Sequence, residues 1–195
     1  QMIDTFDKLR KVRGLVDEGF TGRDWAVATG MVASGKAAMQ VMGDWAKGEF
    51  LAKGMKPGVD FLCFPTPTAT PNYKFVIDAF GMFKLDDPKT LAGQDAWAES
   101  IMDPEVQKQF NMIKGSIPAR SDVSVDDFDS CAKRSFADRE AAVKNGVMFG
   151  GLTEGFAVQP QFAGVFSDVV GKFFVTDMSS KDAVQALVDG INNAR

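Results

Sequence analysis

Histidine is absent from this 195-residue chain, and only two cysteines and one tyrosine occur in it. Without histidine there is no Ser-His-Asp triad, no Cys-His dyad and no histidine-built zinc site. Two cysteines are too few for an all-cysteine zinc site or a disulfide-dense scaffold. No apolar run approaches the roughly 18 residues of a membrane-spanning helix. The opening residues, QMIDTFDKLRK, lack the apolar stretch of a secretory leader. They begin in the middle of an amphipathic pattern, which predicts the mature or internal part of a longer protein. A basic excess is missing too: 22 Lys and Arg stand against 26 Asp and Glu, a net charge of −4. Nucleic acid and anionic membranes need clustered Lys and Arg, so neither is the expected partner.

What is present is an ordinary globular composition, 45% hydrophobic and 25% charged. The length suits one large domain or two small ones. Residues 4–19 place Phe6, Leu9, Val12, Leu15 and Val16 at helical spacing. Residues 24–34 predict a second helix. KAAMQVMG (36–43) reads as a short buried strand, and Asp44 then caps a short helix, DWAKGEFLAKG. VDFLCFPTP (59–67) predicts a strand ending in prolines, and PTPTATPN (65–72) a loop. YKFVIDAFGMFKL (73–85), aromatic and β-branched, is the strongest strand signal. Asp86, Asp87 and Pro88 open a helix of about 15 residues that turns Leu91, Trp97 and Ile101 inward.

DPEVQKQFNMIKG (103–115) has an Asp cap, Pro at the first helical position and Gly at its end. SIPARSDVS (116–124) reads as a loop, and 125–143 as one or two helices. Phe162, Phe166, Val169, Val170 and Phe173 form one helical stripe, and residues 180–192 a last helix capped by Ser180. Strands are few and separated by helices, which is the α/β pattern. Their number is low for the helix count, so sheet partners are expected outside this chain.

Four residues carry candidate chemistry. Trp45 follows a strand and a helix start, where its flat face can stack on the C–H face of a sugar ring. A core Trp covering a helix end reads the same way. Asp78 lies within an aromatic strand, where a carboxylate is costly without partners, and sugar hydroxyls are such partners. An Asp on a solvated strand face, or one paired with a structural Arg, is the plain alternative. Lys114 and Arg120 flank GSIPA, although the helix dipole alone favours a Lys at a C-terminus. Glu154 sits in GGLTEGF, between glycines that permit close approach to a ligand or simply mark an exposed loop. ASGKAA (33–38) lacks the spacing of a phosphate loop. Cys63 and Cys131 are 68 positions apart and read either as two buried thiols or as a bonded pair.

Four blocks in order, GKAAMQVMGDWAKGEF, DFLCFPTP, DAFGMFK and QKQFNMIKGSIPARSDV, resemble the second half of family 1 extracellular solute-binding proteins of sugar ABC importers. The glucose/mannose-binding subgroup is the nearest in appearance. The resemblance runs over essentially the whole chain. It implies a periplasmic-binding-protein-like (type II) fold of two α/β lobes, here incomplete. Residues 1–73 would belong to the C-terminal lobe, 74–140 to the crossover and part of the N-terminal lobe, and 141–195 to the return.

The resemblance also implies site roles. Trp45 takes the place of the stacking Trp, Asp78 of the strand carboxylate, and Lys114 of the lysine that reaches the ligand. Glu154 stands near a position where the subgroup often has His. An acceptor-only carboxylate there would reward donor groups, an amino sugar above all. The implied compartment is the oxidising periplasm, which favours a Cys63–Cys131 disulfide.

The implied function is capture of a monosaccharide, a hexose by subgroup, for delivery to an ABC permease. It is not an enzymatic function and needs no cofactor. Two other readings compete with it. One is a glycoside hydrolase using Asp78 and Glu154, and the other a stand-alone interaction domain. Partners on the main reading are the sugar, the missing N-terminal half and the permease. The incomplete chain is also expected to associate with itself through open edges.

Overall fold

Most helices of this chain begin where a short polar side chain takes over the free amides of a first turn. In the computed structural model, which describes residues 1–68 and 72–195, Asp24 accepts from Ala26 N–H and opens α2 (Trp25–Ala33). Asp87 accepts from Thr90 N–H and opens α4 (Pro88–Met102). Asp103 accepts from Glu105 and Val106 and opens α5 (Pro104–Lys114), which Gly115 closes in the left-handed region at φ 89°. Asp129 caps α6 (Ser130–Asn145), and Ser179 caps α8 (Ser180–Asn193). The cap of the last helix is thus Ser179, one residue before the expected Ser180. The remaining helices are α1 (Met2–Arg13), α3 (Lys47–Leu51) and α7 (Pro160–Val175), with a 3-10 turn at Asp44–Ala46 before α3.

The chain divides into two compact units. The first contains residues 1–23, 74–76 and 149–195. Its core is Phe6 of α1, Phe173 of α7, and Ala183 and Leu187 of α8. The rings of Phe6 and Phe173 meet edge-on at 4.7 Å. Arg10 covers Phe173 at 4.0 Å and donates to the carbonyls of Thr176 and Met178, which ties α1 to the end of α7.

The second unit contains residues 24–73 and 77–148. Its buried apolar residues include Ala46, Phe50, Val123, Phe128, Ala132 and Ala142. Phe50 stacks on Phe61 at 4.5 Å. Cys63 and Cys131 form a disulfide, Cα–Cα 5.6 Å, that fastens the segment after α3 to the first turn of α6.

The sheet is smaller than the sequence predicts. Among the described residues it has two strands, β1 (Tyr73–Phe75) and β2 (Met148–Gly150). Tyr73 N–H bonds to Val147 O and Gly151 N–H to Phe75 O, so partner numbers rise together and the pair is parallel. Residues 36–43 form no strand. The 59–67 segment contributes only an isolated bridge between Pro57 and Phe61. The 73–85 run pairs only over its first three residues. Part of the 65–72 loop lies outside the described residues.

A strand is defined by its neighbour, and residues 76–85 have no neighbouring strand among those described. Helix α4 departs from expectation for the same reason: it has no buried residue, and Leu91 and Trp97 are exposed rather than turned inward. Helix α1 stops at Arg13 rather than near residue 19, after a last turn rich in Arg10, Lys11 and Arg13. The chain is therefore mostly helical with a small sheet.

Candidate functional site

Two glycines bring the α3 turn and the end of α5 into backbone contact within the second unit. A Cβ placed on Gly48 would stand 2.7 Å from Lys114 O. One on Gly115 would stand 2.6 Å from Gly48 N and 3.3 Å from Asp44 O. No side chain fits on either face, so the sequence G-D-W-A-K-G lies directly against K-G-S. This contact places Asp44 and Trp45 beside the Lys114 turn.

Trp45 is half-buried, while its neighbours Ala46 and Lys47 are buried. Its six-membered ring covers Gly43, where an added Cβ would come within 2.1 Å of Cζ3. Gly43 is therefore required for space, and the ring is not a residue of the interior core. The Lys114 ammonium donates to Asp78 Oδ2 and lies 5.8 Å from the Phe110 ring. The Asp78 side chain is 73% exposed and that of Lys114 29%. The structure thus joins two of the predicted residues, Asp78 and Lys114, to each other.

The loop after Lys114 is pinned from three sides. Ala119 N–H donates to the buried Gln107 side chain at 3.2 Å, and Arg139 donates to Pro118 O at 2.9 Å. Arg120 bonds bidentately to Asp122 and donates to Met102 O at the end of α4. Arg120 is accordingly a structural clamp.

Asp44 is the residue that sequence reasoning misses. It reads as a helix cap, yet the cap position is Gly43 and no side-chain cap bond forms there. Burial pushes the Asp44 carboxyl above its ordinary range; Lys47, Lys114 and the Ile117 backbone pull it down without cancelling that effect. Its charge also reaches Tyr73, whose phenol is raised chiefly by burial and bonds Ser135 Oγ at 3.1 Å. Lys47, only 4% exposed, is held by Asp129 at 2.7 Å. The Asp44/Lys47 spacing is visible in the sequence, but the burial that sets these two apart from other surface charges is not.

Glu154 belongs to the first unit. Its carboxylate lies back over Gly151, where a Cβ would be 2.1 Å from Oε2, and Lys74 Nζ stands 3.5 Å away. Burial raises its pKa, but Thr153, its own backbone and Lys74 outweigh that and hold the group below its ordinary value. Among the described residues no three acidic or cysteine side chains are grouped to hold a metal ion, and no helix is long and apolar enough to cross a membrane.

Residues 1–98 match the family described as bacterial extracellular solute-binding protein. The whole chain is 44% identical to a probable sugar-binding periplasmic protein of Mesorhizobium japonicum and covers 46% of it. A protein with the same description from Rhizobium meliloti is 41% identical over the whole chain, which covers 47% of it. An ABC transporter extracellular-binding protein of Pyrococcus horikoshii is 36% identical over 87% of this chain and 36% of its own length. The chain thus spans about half the length of the curated relatives it matches.

Proposed function

Because the chain belongs to the bacterial extracellular solute-binding proteins, we propose that it forms the C-terminal half of a periplasmic protein that captures a sugar for an ABC importer. Its relatives are binding proteins and not enzymes, and neither is this chain. Asp78 and Glu154 therefore need no hydrolytic role. The observation that carries the reading is the Asp78–Lys114 pair, with the backbone of the turn that bears the half-buried Trp45 packed against the Lys114 turn. A hexose would stack one C–H face on Trp45, donate one hydroxyl to Asp78 and offer another oxygen to Lys114.

Magnitudes decide whether a ligand can open that pair. An ion pair with one partner this exposed is worth about 0–1 kcal/mol. A hydrogen bond to a charged group is worth about 1.5–3 kcal/mol. Two hydroxyls, one on each charge, outweigh the contact they replace. The remaining contacts would come from the half of the protein that precedes this chain, and closure around the sugar would exclude water.

The amino-sugar expectation rests on Glu154, a residue of the first unit. Its sequence context favours a cationic ligand, but Lys74 already supplies a cation at 3.5 Å. That support goes to a neutral hexose rather than an amino sugar. The test is calorimetry on the longer protein containing this chain, with D-glucose, D-galactose, D-mannose and D-glucosamine. Saturable binding of a neutral hexose, weakened about tenfold or more by Asp78→Asn, is expected. No response to any of the four sugars overturns the reading.

A further inference from the structure

Lys114 has a partner besides Asp78, one turn back on its own helix. Residues 110 and 114 of α5 are four positions apart, and helical side chains lean toward the N-terminus, so the later one lies over the earlier. The Lys114 ammonium accordingly stands over the Phe110 ring, 5.8 Å from its centroid. A cation at that distance is attracted by the face of an aromatic ring. The same ammonium donates to Asp78 Oδ2, and all three residues belong to the second unit. Phe110 is 55% exposed and is not one of the buried residues of that unit. Phe80 and Trp97, also exposed, pair edge-on with each other, whereas the ring of Phe110 faces a charge.

The two partners of Lys114 differ in how easily a ligand displaces them. Asp78 is largely exposed and can accept a hydroxyl hydrogen in place of the ammonium. A hydroxyl competes far better for a carboxylate than for a ring face. From this geometry we infer that Phe110 is a positioning residue of the sugar site: its ring keeps the Lys114 ammonium in place once a ligand hydroxyl has taken Asp78. The helix dipole favours a cation at this end of α5 but gives it no direction. The ring supplies the direction. A lysine without that contact would have several rotamers to lose on bonding the ligand, and holding it beforehand removes that cost.

The inference rests on the sugar-binding reading, and the test separates the two. The longer protein is titrated by calorimetry with whichever of D-glucose, D-galactose, D-mannose and D-glucosamine binds most tightly. The proteins compared are wild type, Phe110→Leu, Phe110→Tyr, Lys114→Met and the Phe110→Leu/Lys114→Met double variant. Leucine at an exposed site keeps an apolar side chain, so the first variant should fold as wild type does. Lys114→Met is expected to weaken binding about tenfold or more. Phe110→Leu is expected to weaken it about two- to fivefold in the wild type, and less than about 1.5-fold in the Lys114→Met background, the mark of an effect that passes through Lys114. Phe110→Tyr keeps the ring face and should bind within about 1.5-fold of wild type.

Lys114→Gln keeps a hydrogen-bond donor without the charge, and it replaces Lys114→Met as the second background if the Met variant binds too weakly to titrate. An equal loss from Phe110→Leu in both backgrounds overturns the positioning role and leaves the sugar site standing. Unchanged affinity in Phe110→Leu, or a loss in Phe110→Tyr as large as in Phe110→Leu, does the same. Unchanged affinity in Lys114→Met, or no binding of any of the four sugars, overturns both.

Discussion

Removing the Cys63–Cys131 bond tests the fold most directly, because its contribution follows from loop length. The two cysteines are separated by 68 positions. Closing a loop of that size in the unfolded chain lowers its entropy by about 15 cal/mol/K, or about 4 kcal/mol at room temperature. Total stabilities run at about 5–15 kcal/mol, so the bond accounts for a large share. The double variant Cys63→Ala/Cys131→Ala is expected to lose about 3–4 kcal/mol in urea unfolding. Wild type in reducing buffer should fall to match it.

The loss should be larger in stability than in ligand affinity. Helix α6 keeps its own Asp129 cap, and Asp129 keeps Lys47, so the α6 end of the site does not depend on the bond. The tethered segment at residues 61–63 depends on it more, since Phe61 retains only its Phe50 stack and one bridge to Pro57. Peptide mapping without reduction should recover the two cysteine peptides joined. A double variant within about 1 kcal/mol of wild type would refute the entropic reasoning.

Trp45→Ala in the longer protein should leave the fold intact and remove measurable sugar binding, because the ring is half-buried; calorimetry with unchanged affinity would return Trp45 to a packing role. Asp44→Asn should be more stable than wild type at neutral pH. Burial raises the folded-state pKa, so ionising Asp44 disfavours the fold, and the gap between variant and wild type should open as pH rises from below the unfolded carboxylate range through the raised folded value. Urea unfolding at several pH values checks this, and a gap that is largest in acid would contradict it. The 195-residue chain by itself should self-associate, since Phe80, Phe83, Trp97, Phe110 and Ile113 are exposed; a monodisperse monomer in light scattering would count against it.

Helix ends are legible in this sequence because capping is local chemistry. Asp103, Pro104 and Gly115 mark α5 to the residue, and Asp87 and Pro88 mark the start of α4. Strands are legible only as propensity. YKFVIDAFGMFKL has the composition of a strand throughout, yet hydrogen bonding to a neighbour is non-local, and β2 reaches only as far as Phe75. The inward face assigned to α4 fails for a related reason: helical spacing identifies an apolar stripe but not what covers it. Among the candidate residues, Trp45, Asp78 and Lys114 stand out by residue type and context. Asp44 does not, because its burial follows from the packing of its turn against Lys114 and Gly115, 70 and 71 positions away along the chain.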